Sequence, residues 1–260
     1  MNDCHKYGVH TNKKVVNENT IEDTIKGLSG NRMVNGIFVL HPFSDNQAFN
    51  HQIMRWINPL QDVEGLNPEW MGLLTHYVRS VADGPEKLIV PCTAKAVMKI
   101  CEQYFHTDYL STKYKKQAAY LRGKKAVVVN YTPVVGLPLF LMLRNEKATV
   151  TPADETAPPE YLRELMHQAD ILVTAVGKPG FQITGADVKS GSLVIDVAGD
   201  IDTGSVGKKA DYVSRGGVGR VTRSMLLTNL DYLCKIQNYF KLGGEDPILS
   251  RCAREMKLIK

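Results

Sequence analysis

The chain has 260 residues, 43% of them hydrophobic and 23% charged, and a net charge of +5. This composition suits a globular protein with material for one large α/β domain or two modest ones. The positive balance is mild and no Lys/Arg-rich run stands out, so nucleic acid is not indicated as a partner, and no apolar run reaches the length of a membrane span.

Five cysteines, Cys4, Cys92, Cys101, Cys234 and Cys252, are scattered without a C-x-x-C pair. An odd, unpatterned set implies reduced thiols and an intracellular setting, cytoplasmic or mitochondrial matrix. The opening MNDCHKYGVHTNKK lacks the apolar centre of a secretory signal and is a poor transit peptide. The seven histidines form no H-E-x-x-H, and no metal site is expected.

In chain order, IEDTIKGLSG (21–30) spaces Ile21, Ile25 and Leu28 for a short helix ended by glycine. VNGIFVL (34–40) reads as a strand, and the HPFSDNQAF loop leads into a helix carrying Ile53, Met54, Trp56 and Ile57. PCTAKAVMKICEQY (91–104) predicts a helix with Thr93 as its N-cap. From Gly123 onward strand and helix alternate: KAVVV, a helix over 134–144, ATVT (148–151), a helix opened by Pro158 and Pro159, ADILVTAV (169–176) and SLVIDVAG (192–199). RGGVGRVT (215–222) opens a long helix with Met225, Leu226, Leu230 and Leu233 on one broad face, and the tail folds back as a short final helix. Such alternation implies a parallel sheet with helices on both faces.

The segments DVEG (62–65), PCT (91–93), GKKAVVV (123–129), DILVTAVGKPGF (170–181), VIDV (194–197) and GGVG (216–219), in that order, resemble the methylenetetrahydrofolate dehydrogenase/cyclohydrolase (FolD-type) family. The resemblance implies a small N-terminal α/β lobe, residues 1–105 with 235–260 returning to it. A Rossmann-type doubly wound parallel-sheet domain follows over 106–234, with a folate cleft between the two. It further implies oxidation of 5,10-methylenetetrahydrofolate by hydride transfer to NAD(P)+, hydrolysis of the methenyl product in many members, and a homodimer in most.

Carried onto this sequence residue by residue, the resemblance leaves the chemistry altered. The family's catalytic Tyr-x-x-x-Lys, aligned through Gly8, falls just ahead of Met1. The glutamine of its V-Q-L-P strand end corresponds to Leu40 in Val39-Leu40-His41-Pro42, and leucine cannot hydrogen-bond. Strand alternation turns His41 to the face opposite Leu40, which argues against His41 as a replacement base. The pterin-gripping second aspartate of D-V-D-G corresponds to Glu64, displaced by a methylene, and misplacement on that scale can cost about 10²-fold. Substrate-side positions are thus Glu64, Leu40, Pro42, Gly216 and Gly217, the glycines lying in a loop flanked by Arg215 and Arg220.

On the cofactor side, the family's Gly-Arg-Ser-x-x-Val-Gly turn corresponds to Asn130-Tyr131-Thr132-Pro133-Val134-Val135-Gly136. Tyr131 supplies no positive charge for a 2′-phosphate, and Asp154 and Glu155 after the next strand would repel one. If a dinucleotide binds, NAD is favoured over NADP. The other cofactor-side positions are Thr93, Thr132, Val134, Ala175, Val176, Gly177, Val197 and Thr222. The glycine and threonines among them could equally serve tight turns and helix caps.

Core strands and turns match while chemical positions depart. This pattern supports a FolD-type protein whose standard activities are reduced or absent, retained as a tetrahydrofolate or nucleotide binder or as a subunit of a larger assembly. The second reading is a divergent NAD-dependent methylenetetrahydrofolate dehydrogenase without cyclohydrolase activity.

Overall fold

The computed structural model describes residues 2–110 and 119–259. Its first four helices are α1 (Asn2–Lys6), α2 (Ile21–Ser29), α3 (Gln47–Trp56) and α4 (Pro68–Thr75). Next come α5 (Cys92–Leu110), β1 (Lys125–Val129), α6 (Gly136–Asn145), β2 (Thr149–Ala153), α7 (Pro159–Gln168), β3 (Ile171–Thr174) and β4 (Leu193–Asp196). The last are α8 (Thr203–Val206), β5 (Asp211–Val213), α9 (Arg215–Lys241) and α10 (Ser250–Glu255).

The five strands form one parallel sheet in the order β2-β1-β3-β4-β5. Successive side chains on a strand face opposite ways, and here both ways lead into a core. Ala126, Val128, Ile171, Val173, Leu193 and Ile195 pack with Ala94, Val97 and Cys101 of α5 and Leu139 and Leu143 of α6. The intervening Val127, Val129, Leu172 and Val194 pack with Leu162 and Met166 of α7 and Val206 of α8. The unbroken apolar runs of the strands follow from this double burial.

The chain divides into two compact units, Met1–Val90 with Leu226–Lys260, and Pro91–Met225. These limits differ from the expected 105/106 and 234/235 boundaries. The physical reason at the first is α5, whose apolar face belongs to the sheet core. At the second, Leu233, Ile236 and Phe240 of α9 pack with Leu60, Trp70, Leu249 and Met256 of the same unit, which carries this half of α9 into it. There Gln237, fully buried, donates to the carbonyls of Asn35 (2.9 Å) and Leu60 (2.6 Å) and accepts from Asn35 Nδ2 (2.9 Å). A smaller cluster joins Ile21 and Ile25 of α2, Ile37, and Ile53 and Ile57 around α3.

Several local expectations change. Residues 34–40 form only an isolated bridge, Ile37 with Asp62. The opposing segment turns through a 3-10 helix at Pro59–Gln61, so it offers no straight edge for a ladder. Helix α5 begins at Cys92, which places Thr93 inside the helix rather than at its cap. The helix expected from residue 134 starts at Gly136, because Thr132 O still accepts the turn-closing bond from Leu137 N–H (2.9 Å). Gly216 and Gly217, which the resemblance places in a glycine loop, form the first turn of α9, in line with the helix expected to open at RGGVGRVT. Strand β5 just before it was not anticipated.

Candidate functional site

In the strand order β2-β1-β3, the chain leaves β1 toward one side of the sheet and later returns on the other side at β3. The loops after β1 and β3 therefore part company at their carboxyl ends, the place where open parallel sheets take ligands. Asn130 closes β1 in the left-handed region (φ 74°), where asparagine is among the few tolerated side chains. Its Nδ2 donates to Ala175 O across the gap (2.7 Å), and its N–H donates to Ala153 O at the end of β2 (2.9 Å). A Cβ on Gly136 would lie 2.2 Å from Asn130 O, so only glycine lets helix α6 start this close to the turn. The turn thus has a left-handed residue at its start and an obligatory glycine at its end, without a second internal glycine.

Tyr131 and Val134 are exposed at this edge, and the Tyr131 ring stands edge-on to Phe140 at 5.8 Å between centroids. Thr132 and Ala175 are partly buried and Val176 is buried. Gly177 has φ 65°, and Val197 N–H donates to Thr174 O (2.8 Å) beside it. Glu155 pairs with Lys178, which ties the loop after β2 to the loop after β3. Asp154 is exposed and accepts from the backbone and hydroxyl of Thr156, which hold its carboxyl below the usual range. These cofactor-side residues therefore share one edge of the sheet.

Thr93 and Thr222 sit on helices instead. Thr93 is half-buried in α5, and the Thr222 hydroxyl donates back to Val218 O (3.0 Å) within α9. Gly216 and Gly217 share that first turn of α9 with Arg215.

In the other unit, Leu40 is 72% exposed and Pro42 is exposed beside it. His41 turns inward as alternation requires, and the inward face is the one that Glu64 occupies: His41 Nε2 lies 3.6 Å from Glu64 Oε2. That separation is longer than a hydrogen bond, and His41 Nε2 is buried without a hydrogen-bond partner. Burial lowers the His41 pKa and, reinforced by Asp62, raises that of Glu64 to about 8. Asp62 itself is buried and accepts from the backbone N–H groups of Glu64 (3.1 Å), Gly65 (3.0 Å) and Asn67 (2.7 Å). The turn that presents Glu64 is built on this carboxylate.

The profile of the tetrahydrofolate dehydrogenase/cyclohydrolase NAD(P)-binding domain matches residues 91–238, more than half of the chain. The chain belongs to the tetrahydrofolate dehydrogenase/cyclohydrolase family. It is 34% identical over 236 residues to the bifunctional protein FolD of Thermodesulfovibrio yellowstonii, covering 85% of this chain and 74% of that protein. The NAD-dependent 5,10-methylenetetrahydrofolate dehydrogenase of Saccharomyces cerevisiae superimposes with a TM-score of 0.80 at 27% identity, over 91% of this chain and 80% of that one. The Trypanosoma brucei methylenetetrahydrofolate dehydrogenase-cyclohydrolase, complexed with NADP and an inhibitor, gives a TM-score of 0.68 at 29% identity, over 85% and 73%.

Family membership establishes an NAD(P)-binding domain, and the relatives stand on both sides of the choice between NAD and NADP. Nothing in these similarities points to loss of either family activity. The β1–α6 turn fits a dinucleotide, with its glycine cradle at Gly136 and its position at the sheet's switch point. Among the described residues no group of side chains is arranged to hold a metal, and no helix is long and apolar enough to cross a membrane. The roles of Asn130 and Gly136, and the facing of His41 on Glu64, lay beyond sequence reasoning. An Asn ending a valine strand, followed by a glycine six residues later, was the one available signal for the turn.

Proposed function

We propose that this chain binds a tetrahydrofolate derivative through the Glu64 turn and NAD at the carboxyl edge of the β1–β3 sheet, with the family's dehydrogenase and cyclohydrolase activities reduced or absent. In this role it serves as a ligand-binding protein or a subunit of a larger assembly. The observation that carries the reading is the pairing of an exposed Leu40 with a buried, uncharged His41 and Glu64. A hydrocarbon stands where the resemblance calls for a hydrogen-bonding glutamine, and the carboxyl meant to grip the pterin holds its proton at neutral pH. Tyr131, Thr132, Val134, Ala175, Val176, Gly177 and Val197 would line the dinucleotide. The exposed Asp154 disfavours a 2′-phosphate there, while Glu155 is paired with Lys178.

A second reading has its own support. A carboxyl that titrates near neutrality beside an imidazole is suited to proton transfer, and this favours a divergent NAD-dependent methylenetetrahydrofolate dehydrogenase without cyclohydrolase activity. The deciding experiment follows absorbance as purified, folded protein meets 5,10-methylenetetrahydrofolate with NAD+ or with NADP+. Binding of both ligands without turnover supports the first reading, and turnover with NAD+ alone supports the second. Efficient turnover with NADP+ overturns the cofactor assignment.

A further inference from the structure

Asp200 is 2% exposed and follows β4 in the sequence Val197-Ala198-Gly199-Asp200. Its carboxylate is spent on the last residue of β3 and the segment that follows. One oxygen, Oδ2, accepts from the Thr174 hydroxyl (2.7 Å) and from Val176 N–H (2.8 Å), and the other, Oδ1, accepts from Gly177 N–H (2.7 Å). The backbone of the same residue holds the far end of the loop: Asp200 O accepts from Ile183 N–H (2.8 Å). Asp200 is itself held in place, because Asp196 Oδ1 accepts from Gly199 N–H (2.7 Å) and Asp200 N–H (2.9 Å). Residues 177–183 are therefore a loop pinned at both ends by one residue of the neighbouring crossover.

We propose that Asp200 is a positioning residue for the dinucleotide site, fixing Val176 and the left-handed Gly177 in the shape that meets the cofactor. The proposal rests on the reading that the cofactor lies against Ala175, Val176 and Gly177. Two adjacent N–H groups that would otherwise point at random are locked onto one buried carboxylate, and a preorganised loop has no ordering cost left to meet on binding. Asparagine is a selective probe. Its single oxygen can still serve Thr174 and Val176, but its NH2 then faces the Gly177 N–H, donor against donor.

The test combines NAD+ affinity by calorimetry, the melting temperature without cofactor, and hydrogen exchange at the Val176 and Gly177 amides. In the wild type both amides should exchange as slowly as those of β3. Asp200→Asn should raise the NAD+ dissociation constant at least tenfold, speed exchange at Gly177, and lower the melting temperature by only a few degrees. An unchanged dissociation constant in Asp200→Asn overturns the positioning role while leaving the dinucleotide reading in place. Fast wild-type exchange at both amides overturns it without any variant, which covers a variant that fails to fold. Loss of binding that only tracks a large drop in melting temperature assigns Asp200 a structural role and overturns the proposal as well. A wild type that binds neither NAD+ nor NADP+ overturns the dinucleotide reading and the positioning role together.

Discussion

His41 and Glu64 face each other across 3.6 Å, and each side chain is only 15% exposed. Burial favours the neutral form of both, so at pH 7 the contact joins an uncharged imidazole to a carboxylic acid. Asp62, raised to about 6 by its own burial, stands behind Glu64 and discourages a second negative charge there.

The first prediction concerns stability against pH. The folded Glu64 titrates near 8 and the unfolded one near its ordinary carboxylate value, so between the two the folded state holds a proton that unfolding releases. Stability therefore falls as pH rises through this window, by up to about 1.4 kcal/mol per pH unit. Asp62 adds a slope of the same sign only below about pH 6, and His41, with its lowered pKa, an opposite slope up to its ordinary range. The thiols of Cys101, Cys234 and Cys252, raised by burial, add a slope of the same sign toward pH 8.5 in any variant that keeps them. Over pH 7 to 8.5 the wild type should therefore lose more stability than Glu64→Gln in thermal unfolding; parallel curves would refute the protonated carboxyl.

The second prediction tests the β1–α6 turn. Gly136→Ala forces a Cβ against the Asn130 carbonyl and the Tyr131 Cα, both backbone atoms with little room to move. It should cost at least about 2 kcal/mol in urea denaturation. Asn130→Ala keeps a left-handed backbone at about 1–2 kcal/mol and loses the bond to Ala175 O, so it should be less stable than Asn130→Gly. The reverse order would mean that the left-handed geometry is not maintained.

Cofactor choice supplies the third. Tyr131→Arg combined with Asp154→Asn adds one positive charge and removes one negative at the sheet edge. The double variant should shift the ratio of NADP+ to NAD+ affinity by about tenfold toward NADP+, in line with one or two screened charge contacts. An unchanged ratio in equilibrium binding would place the 2′-hydroxyl elsewhere.

The fourth addresses how α9 closes the first unit. Gln237→Leu keeps the volume but leaves the Leu60 carbonyl without its partner in a buried site, and removes the part-buried bonds to the amide and carbonyl of the exposed Asn35. The expected loss is about 1–3 kcal/mol, read as a shift in denaturation midpoint. A loss below about 0.5 kcal/mol would show that water reaches these groups.

Much of the sheet was legible in the sequence. A strand buried on both faces is apolar at consecutive positions, so the AVVV, ILV and LVI runs of β1, β3 and β4 announce themselves, and the alternating helices dictate parallel connections. The strand expected at 34–40 shows the limit of such reasoning. Its burial alternates only from Ile37 to Leu40, and whether a ladder forms depends on the partner, which here is a 3-10 turn. Local pattern specifies a segment's faces, while pairing is a property of two segments far apart in sequence.

The candidate site divides in the same way. Sequence by itself determined the family, the strand-turn-helix that bears the dinucleotide edge, and the substitutions at Leu40, Glu64, Tyr131 and Glu155. Only the tertiary structure decided that His41 confronts Glu64, that Asn130 reaches across to Ala175, and that Asp200 holds the loop after β3 from a crossover 23 residues and more away. Those three relationships are long-range contacts between polar groups withdrawn from water. Their chemistry depends on distance and burial, which chain order does not carry.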